Sequence, residues 1–304
     1  MSVAAFCRLN VDIIYSGLDR FPNLGEELYA PDFDIQLGGG AAVIPIILSN
    51  LGIEGKLGTF LGKDIQSSIA EQLLNKLNFV DYYNFHARDT SPVVITSAAS
   101  MSEDRAFLSY CEDMTDDLTD KFTSKDKVYE FLKGSKICFS APAFPGVMEK
   151  VSDEGTFIVF DVGWTDIQNA EKLFNQLEYV DLYSPNDKEA MKITNSSTPE
   201  EAVEKLFQYV KFPIVKTGAK GCMTYVDGKI VHVGMSCKFN AVEMTGAGDN
   251  FLTGIVYGLH KDMDIVDCLK MGNIFGGNST TQLGCYRANM YLTEEKINEY
   301  WKMY

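Results

Sequence analysis

Histidine and tryptophan are scarce, with three and two copies in 304 residues. No histidine stands near another functional group in the sequence, which argues against a histidine-based catalytic triad. Positive charge is also short: 27 Lys and Arg stand against 42 Asp and Glu, for a net charge of −15. Contacts to nucleic acid or anionic lipid need clustered Lys and Arg, and no basic block occurs, so neither partner is expected. The same balance counts against a substrate that already carries phosphate. The seven cysteines form no C-x-x-C pair and have no histidine at zinc spacing. Buried thiols in a reducing compartment are expected, not a disulfide framework or a zinc ribbon. The longest apolar run, Ala41 to Leu48, is too short to cross a bilayer and contains Pro45. The first residues hold Arg8 and Asp12 and no cleavage-site pattern, so they read as a strand and not as a signal peptide. A cytoplasmic protein is the expectation.

What is present suits a large folded core: 46% of residues are hydrophobic, and a chain of this length needs no metal or disulfide to hold one. Strand-like runs alternate with helical patterns. Ile137 to Ser140, Thr156 to Asp161, Tyr179 to Ser184 and Phe212 to Thr217 read as strands, with helices over Asn169 to Leu177 and Glu200 to Tyr209. The second helix has a clear start, with Thr198 as N-cap, Pro199 at its first position and Glu201 three residues after the cap. Such alternation predicts a parallel sheet covered by helices on both faces. Asp227-Gly228 within Met223 to Val233 predicts an antiparallel hairpin. Two stretches, Asp12 to Gln36 and Pro92 to Tyr110, carry strands without helices between them and could form a small separate sheet. No internal repeat and no Pro-, Gly- or Ser-rich linker divides the chain.

Thr245-Gly246-Ala247-Gly248-Asp249 leads straight into the apolar helical run Phe251 to Leu259. Small residues at a helix N-terminus let several N–H groups converge where the helix adds partial positive charge, a setting that suits a transferring phosphoryl group. Asp249, in the first turn, can accept the proton of an attacking hydroxyl. The same residues also fit a capped helix with no ligand. Gly38-Gly39-Gly40-Ala41-Ala42 precedes a second helix and fits either close approach of a polar ligand or a tight turn. Gly58 to Asp64 lacks the spacing of a phosphate loop and is rejected as one. Asn186 and Glu189 follow a strand with N-x-x-E spacing; at a strand's carboxyl end they could position hydrated Mg²⁺, or cap the next helix.

In this order the segments resemble the PfkB (ribokinase-like) family of ATP-dependent carbohydrate kinases over nearly the whole chain. The most specific part is Thr245 to Asp249 with Asn250, Phe251 and Gly254, which is similar to the family's C-terminal signature. Asp12, Gly38-Gly39, Asn186 with Glu189, and Thr217-Gly218-x-x-Gly221 fall in family order. The resemblance implies an α/β, ribokinase-like fold: a doubly wound, mostly parallel sheet with helices on both faces and a small β-sheet lid. It implies one domain over residues 1–304, with lid strands within about 12–36 and 92–110. Asp249 would be the catalytic base, with Gly246, Ala247 and Gly248 as the anion hole. Asp12, Gly38 and Gly39, together with Asp249, would hold the acceptor. Asn186, Thr217, Gly218, Gly221 and Asn273 would bind ATP, Asn273 from the adenine pocket, while Glu189 would serve Mg²⁺ indirectly. ATP and Mg²⁺ are therefore expected, K⁺ is admitted as a monovalent cation, and the lid offers a homodimer surface.

Some positions depart from the family pattern. Val43 stands where sugar-kinase relatives usually carry Asn, Gly40 replaces a commonly polar residue, and Ala141 falls near where ribokinase-like relatives place an acceptor-binding acid. Glu243 stands where cation-dependent members often have Asp. The expected activity is transfer of the ATP γ-phosphate to a hydroxyl of a sugar or sugar derivative. A nucleoside kinase is the alternative within the family, with Phe107, Tyr110 and Trp164 as candidates for a flat slot. A catalytically silent regulator that binds sugar or nucleotide is the alternative outside catalysis, and retention of Asp249 with its glycines argues against it.

Overall fold

The computed structural model describes residues 2–79, 81–86, 90–101, 105–112, 124–140, 144–162 and 170–304. Its first half contains β1 (Val3–Phe6), β2 (Asn10–Leu18), β3 (Asp32–Leu37), α1 (Val43–Asn50), β4 (Gly55–Thr59), α2 (Ile65–Lys76), β5 (Tyr82–Asn84), β6 (Val94–Met101) and β7 (Arg105–Tyr110). There follow α3 (Lys125–Leu132), β8 (Ile137–Ser140), α4 (Pro145–Asp153), β9 (Phe157–Phe160), α5 (Ala170–Gln176), β10 (Leu182–Tyr183), α6 (Asp187–Thr194), α7 (Pro199–Leu206) and β11 (Phe212–Lys216). The chain ends with β12 (Cys222–Val226), β13 (Lys229–Val233), α8 (Ala247–His260), α9 (Ile265–Ser279), α10 (Arg287–Met290) and α11 (Glu294–Trp301).

The large sheet runs β13-β12-β11-β10-β9-β8-β1-β4-β5. Neighbours from β11 to β5 pair in parallel, and only the β11–β12 and β12–β13 pairs are antiparallel. Strand β1 sits between β8 and β4 and is buried at every residue. Because successive side chains point to opposite faces, Val3 and Ala5 join one apolar core, with α1, α8 and α9. Ala4 and Phe6 join the other, with α3, α4 and α7. The doubly wound architecture expected from the alternating pattern is thus present.

Local signals account for several boundaries. Thr198 accepts a hydrogen bond from the Glu201 N–H and Pro199 opens α7. Asp227 and Gly228 both have positive φ, 52° and 77°, which is the two-residue turn that joins β12 to β13 with the sheet's own twist. The strand expected over Tyr179 to Ser184 is shorter, Leu182–Tyr183, because Val180 N–H still turns back to the Leu177 carbonyl after α5.

A separate four-stranded sheet runs β3-β2-β6-β7. Its register aligns Gln36, Asp12, Thr96 and Ser109, one from each strand, in a single row on one face. All seven cysteines are buried. Among the described residues, no helix is long and apolar enough to cross a membrane.

Helices α8 and α9 pack with almost no side chain between them at Gly254, where an added Cβ would meet the Met271 carbonyl carbon at 2.7 Å and Gly272 Cα at 2.9 Å. Overpacking of this kind costs roughly 1–3 kcal/mol. Gly254→Ala is expected to lower the unfolding free energy by that amount, seen as a lower denaturation midpoint with the slope of the transition unchanged. An unchanged midpoint would show that α8 and α9 separate freely.

Candidate active site

Gly246 caps α8 in the left-handed region, with φ 73°, and any side chain there would collide with Cys285 Sγ. The chain therefore turns into the helix with its backbone bare. Ala247 N–H bends back to the Met244 carbonyl at 3.2 Å. The N–H groups of Gly248 and Asp249 fall in the first turn, where a helix offers no intrahelical acceptor. Asn250 locks the turn from behind by donating to the carbonyls of Gly246 (2.9 Å) and Cys285 (2.8 Å).

Asp249 projects from this turn against the glycine run before α1. A Cβ on Gly39 would collide with its carboxylate, and the Gly40 N–H donates to it. Burial raises the Asp249 pKa, and Glu189 adds to this, while the Gly40 N–H and Lys216 pull it back. Asp12 approaches from β2, where a Cβ on Gly38 would stand 2.6 Å from its Oδ1. Adjacent glycines thus leave room for two carboxylates side by side. Burial first, then the charges of Asp249 and Glu243, push the Asp12 pKa up to about 6. On the same face Gln36 and Thr96 are buried, and Thr96 Oγ1 meets Ser109 Oγ at 2.9 Å. The row offers hydroxyl, amide and carboxylate groups and no cation.

The other side of the α8 N-terminus is built from the carboxyl ends of β9, β10 and β11. Asn186 and Glu189 form a reciprocal capping box on α6: Glu189 N–H donates to Asn186 Oδ1 and Asn186 N–H to Glu189 Oε2, both at 2.9 Å. A bridge pairs Asn186 with Lys216 at the end of β11. Lys216 Nζ lies 2.6 Å from Asp161 Oδ2 and 3.2 Å from where a Cβ on Gly248 would stand. Burial lowers the Lys216 pKa, but Asp161, Glu189 and Asp249 more than offset that, so it stays protonated above the ordinary lysine value. Thr217 turns both its N–H (2.8 Å) and its hydroxyl (2.9 Å) onto the Gly221 carbonyl, closing a tight loop over Gly218 to Lys220. Gly221 has φ 94° and packs on the Val233 carbonyl. Asn273, buried on α9, donates to the carbonyls of Val233 (3.1 Å) and Gly234 (3.2 Å). It therefore braces the β13 end that Gly221 rests on.

Glu243 accepts hydrogen bonds from the Thr245 N–H (2.6 Å) and hydroxyl and from Gly284 N–H (3.3 Å), joining the two loops beside Gly246. Val43 is fully buried in the core at the start of α1, so it offers nothing to an acceptor. Phe107 and Tyr110 are three apart on β7 with unbroken register, so they face opposite sides of the small sheet and cannot wall one slot together. Ala141 and Trp164 lie outside the described residues. Asp161 and Lys216 were not singled out in the sequence. Their only signal is a charged residue at the carboxyl end of a buried strand, where open α/β sheets bind ligands.

A family model described as pfkB family carbohydrate kinase matches residues 2–290. The chain belongs to that family. It is a kinase, an ATP-using phosphotransferase of sugar-type substrates. A 5-dehydro-2-deoxygluconokinase of Clostridium botulinum is 24% identical over 302 residues, covering 89% of this chain and 85% of that protein. An inositol 3-kinase of Zea mays is 41% identical over 73 residues, which is 23% of this chain and only 18% of that relative's length. The crystal structure of ribokinase from Thermotoga maritima superposes with a TM-score of 0.77 at 21% identity, covering 99% of both chains, and that likeness carries the fold.

In this pfkB-family kinase the raised Asp12 pKa predicts a pH-dependent stability. The folded protein holds that carboxyl's proton more tightly than the unfolded chain, so the ionised form costs stability. The cost is absent below the ordinary value of 3.8, grows as pH rises, and is complete above about 6. Asp12→Asn is expected to match wild type in unfolding free energy near pH 4 and to exceed it at pH 8 by on the order of 3 kcal/mol, seen as a higher thermal midpoint. An equal difference at both pH values would contradict the raised proton affinity.

Proposed function

We propose that the protein moves the γ-phosphoryl group of ATP to a hydroxyl of a neutral sugar or polyol, with Asp249 as general base. The observation that carries this reading is the convergence of Asp249 and Asp12 on adjacent glycines, at the open N-terminus of α8. An acceptor hydroxyl between the two carboxylates loses its proton to Asp249 as its oxygen approaches phosphorus, and the helix N-terminus stabilises the charge that develops there. Asp12, Gly38 and Gly39 hold the acceptor. The cation-free row of Gln36, Asp12, Thr96 and Ser109 suits hydroxyl groups better than an existing phosphate. Relatives named as kinases of inositol and of 5-dehydro-2-deoxygluconate support a polyhydroxylated acceptor.

Gly246, Ala247 and Gly248 form the phosphoryl pocket in this reading, and Asn186, Thr217, Gly218, Gly221 and Asn273 the ATP side. Among the described residues, no group of three or more His, Cys, Asp and Glu side chains is arranged to hold a metal. The donor set still fits Mg²⁺ held mainly by phosphate and water oxygens, with Glu189 and Asn186 behind those waters. Bound there, Mg²⁺ would neutralise phosphate charge. The small sheet, as a lid over the acceptor and a surface for a second copy, and a cytoplasmic setting complete the reading.

The test is an ADP-release assay with Mg²⁺-ATP, with and without K⁺, against free sugars, inositols, sugar acids and nucleosides. Turnover with a sugar or polyol is expected, and turnover with nucleosides alone would overturn the acceptor class. Asp249→Asn should lower kcat by about 10²–10⁴-fold and leave ATP affinity nearly intact. Retained turnover in that variant would end the general-base assignment.

A further inference from the structure

The carboxyl ends of β9, β10 and β11 bring an unusual charge set to the rim of the α8 N-terminus. Three carboxylates, Asp161, Glu189 and Asp249, interact there with a single cation, Lys216. The Lys216 side chain is 14% exposed and Asp161 15%, so the ammonium is largely withdrawn from water and lies beside the first turn of α8. Its position is fixed twice over. Asp161 Oδ2 holds Nζ at 2.6 Å, and the backbone before it is tied down by the Lys216 N–H on the Pro185 carbonyl at 2.9 Å. Gly248 lets the ammonium lie directly against the first turn of α8, since a Cβ there would come within 3.2 Å of Nζ.

A buried ion pair is a weak device for stability, because desolvating both charges cancels most of their attraction. Here the pair also faces a helix N-terminus whose own groups carry only partial charge. A full positive charge beside that terminus is what a transferring phosphoryl group, with charge spread over its equatorial oxygens, requires.

We propose that Lys216 is a catalytic residue of the phosphoryl transfer: its ammonium contacts the transferring phosphoryl group across Gly248, and Asp161 is the positioning residue that aims it. The proposal rests on the kinase reading above. Lys216 keeps its proton throughout. The acceptor oxygen forms its bond to the γ-phosphorus while the bond from that phosphorus to the bridging oxygen breaks. ADP leaves with that electron pair, and the hydroxyl proton passes to Asp249. Lys216 lowers the charge cost at the phosphoryl oxygens alone, so it separates ATP from ADP.

The test is calorimetric binding of ADP and of the non-hydrolysable β,γ-imido analogue of ATP, both with Mg²⁺, to wild type, Lys216→Met, Lys216→Arg and the double variant Lys216→Met/Asp161→Asn. The double variant removes both charges, so that no carboxylate is left unpaired if the single variant folds poorly. Lys216→Met and the double variant should lose at least tenfold in affinity for the analogue while ADP affinity stays within twofold. Turnover should fall by a hundredfold or more with the acceptor KM within threefold, and Lys216→Arg should recover part of both losses. Equal weakening of ADP and analogue, or analogue affinity within twofold of wild type, would reduce Lys216 to a structural ion pair and overturn the proposal. Wild-type protein that binds neither nucleotide would instead overturn the kinase reading, and the proposal with it. Nucleotide binding that ignores Lys216 would overturn the proposal alone.

Discussion

The site depends on holding one carboxylate, Asp249, partly withdrawn from water in a chain whose net charge is already −15. Glu189 acts against its ionisation, and Asp249 in turn acts against that of Asp12. Three things make the arrangement tolerable: the partial positive charge of the α8 N-terminus, the Gly40 N–H, and the ammonium of Lys216. Each comes from a different part of the chain. The doubly wound sheet exists, from a functional standpoint, to deliver them to one point.

Glycine sets how closely they can meet. Gly38 is occupied by Asp12, Gly39 by Asp249, and Gly246 by Cys285. These are contacts from other elements filling the place of a missing side chain, so the runs around 38–40 and 245–249 are two halves of one joint. Position 246 also needs the left-handed backbone that starts α8. The pattern explains why two glycine clusters some two hundred residues apart carry meaning only together.

Features that rest on short-range chemistry were legible in the sequence. The Thr198 cap, the Asp227-Gly228 turn and the run from Thr245 to Asp249 are each specified within a few residues, and the alternation of strands and helices gave the layered architecture. The reading of Asn186 and Glu189 as a cap was equally available, and the capping box forms. What stayed hidden depends on strand neighbourhood. Asp161 and Lys216 are 55 residues apart and meet because β9, β10 and β11 lie side by side, an order that no local pattern encodes. The polar row of Gln36, Asp12, Thr96 and Ser109 is hidden for the same reason, since register between four strands decides it.

Behind the site runs a chain of amides. Asn289 donates to Asn250 Oδ1 (2.6 Å) and to the Phe275 carbonyl (2.9 Å), Asn278 donates to Asn289 Oδ1 (2.8 Å), and Tyr300 on α11 donates to Asn278 Oδ1 (3.3 Å). Asn250 and Asn289 are fully buried, and satisfied amides in that setting hold a fixed geometry. An amide neither gains nor loses a proton across the physiological range. The front of the site can therefore change its charge through a catalytic cycle while the frame that aims it stays electrically silent, so protonation events at the carboxylates are not passed on to the helices that carry them.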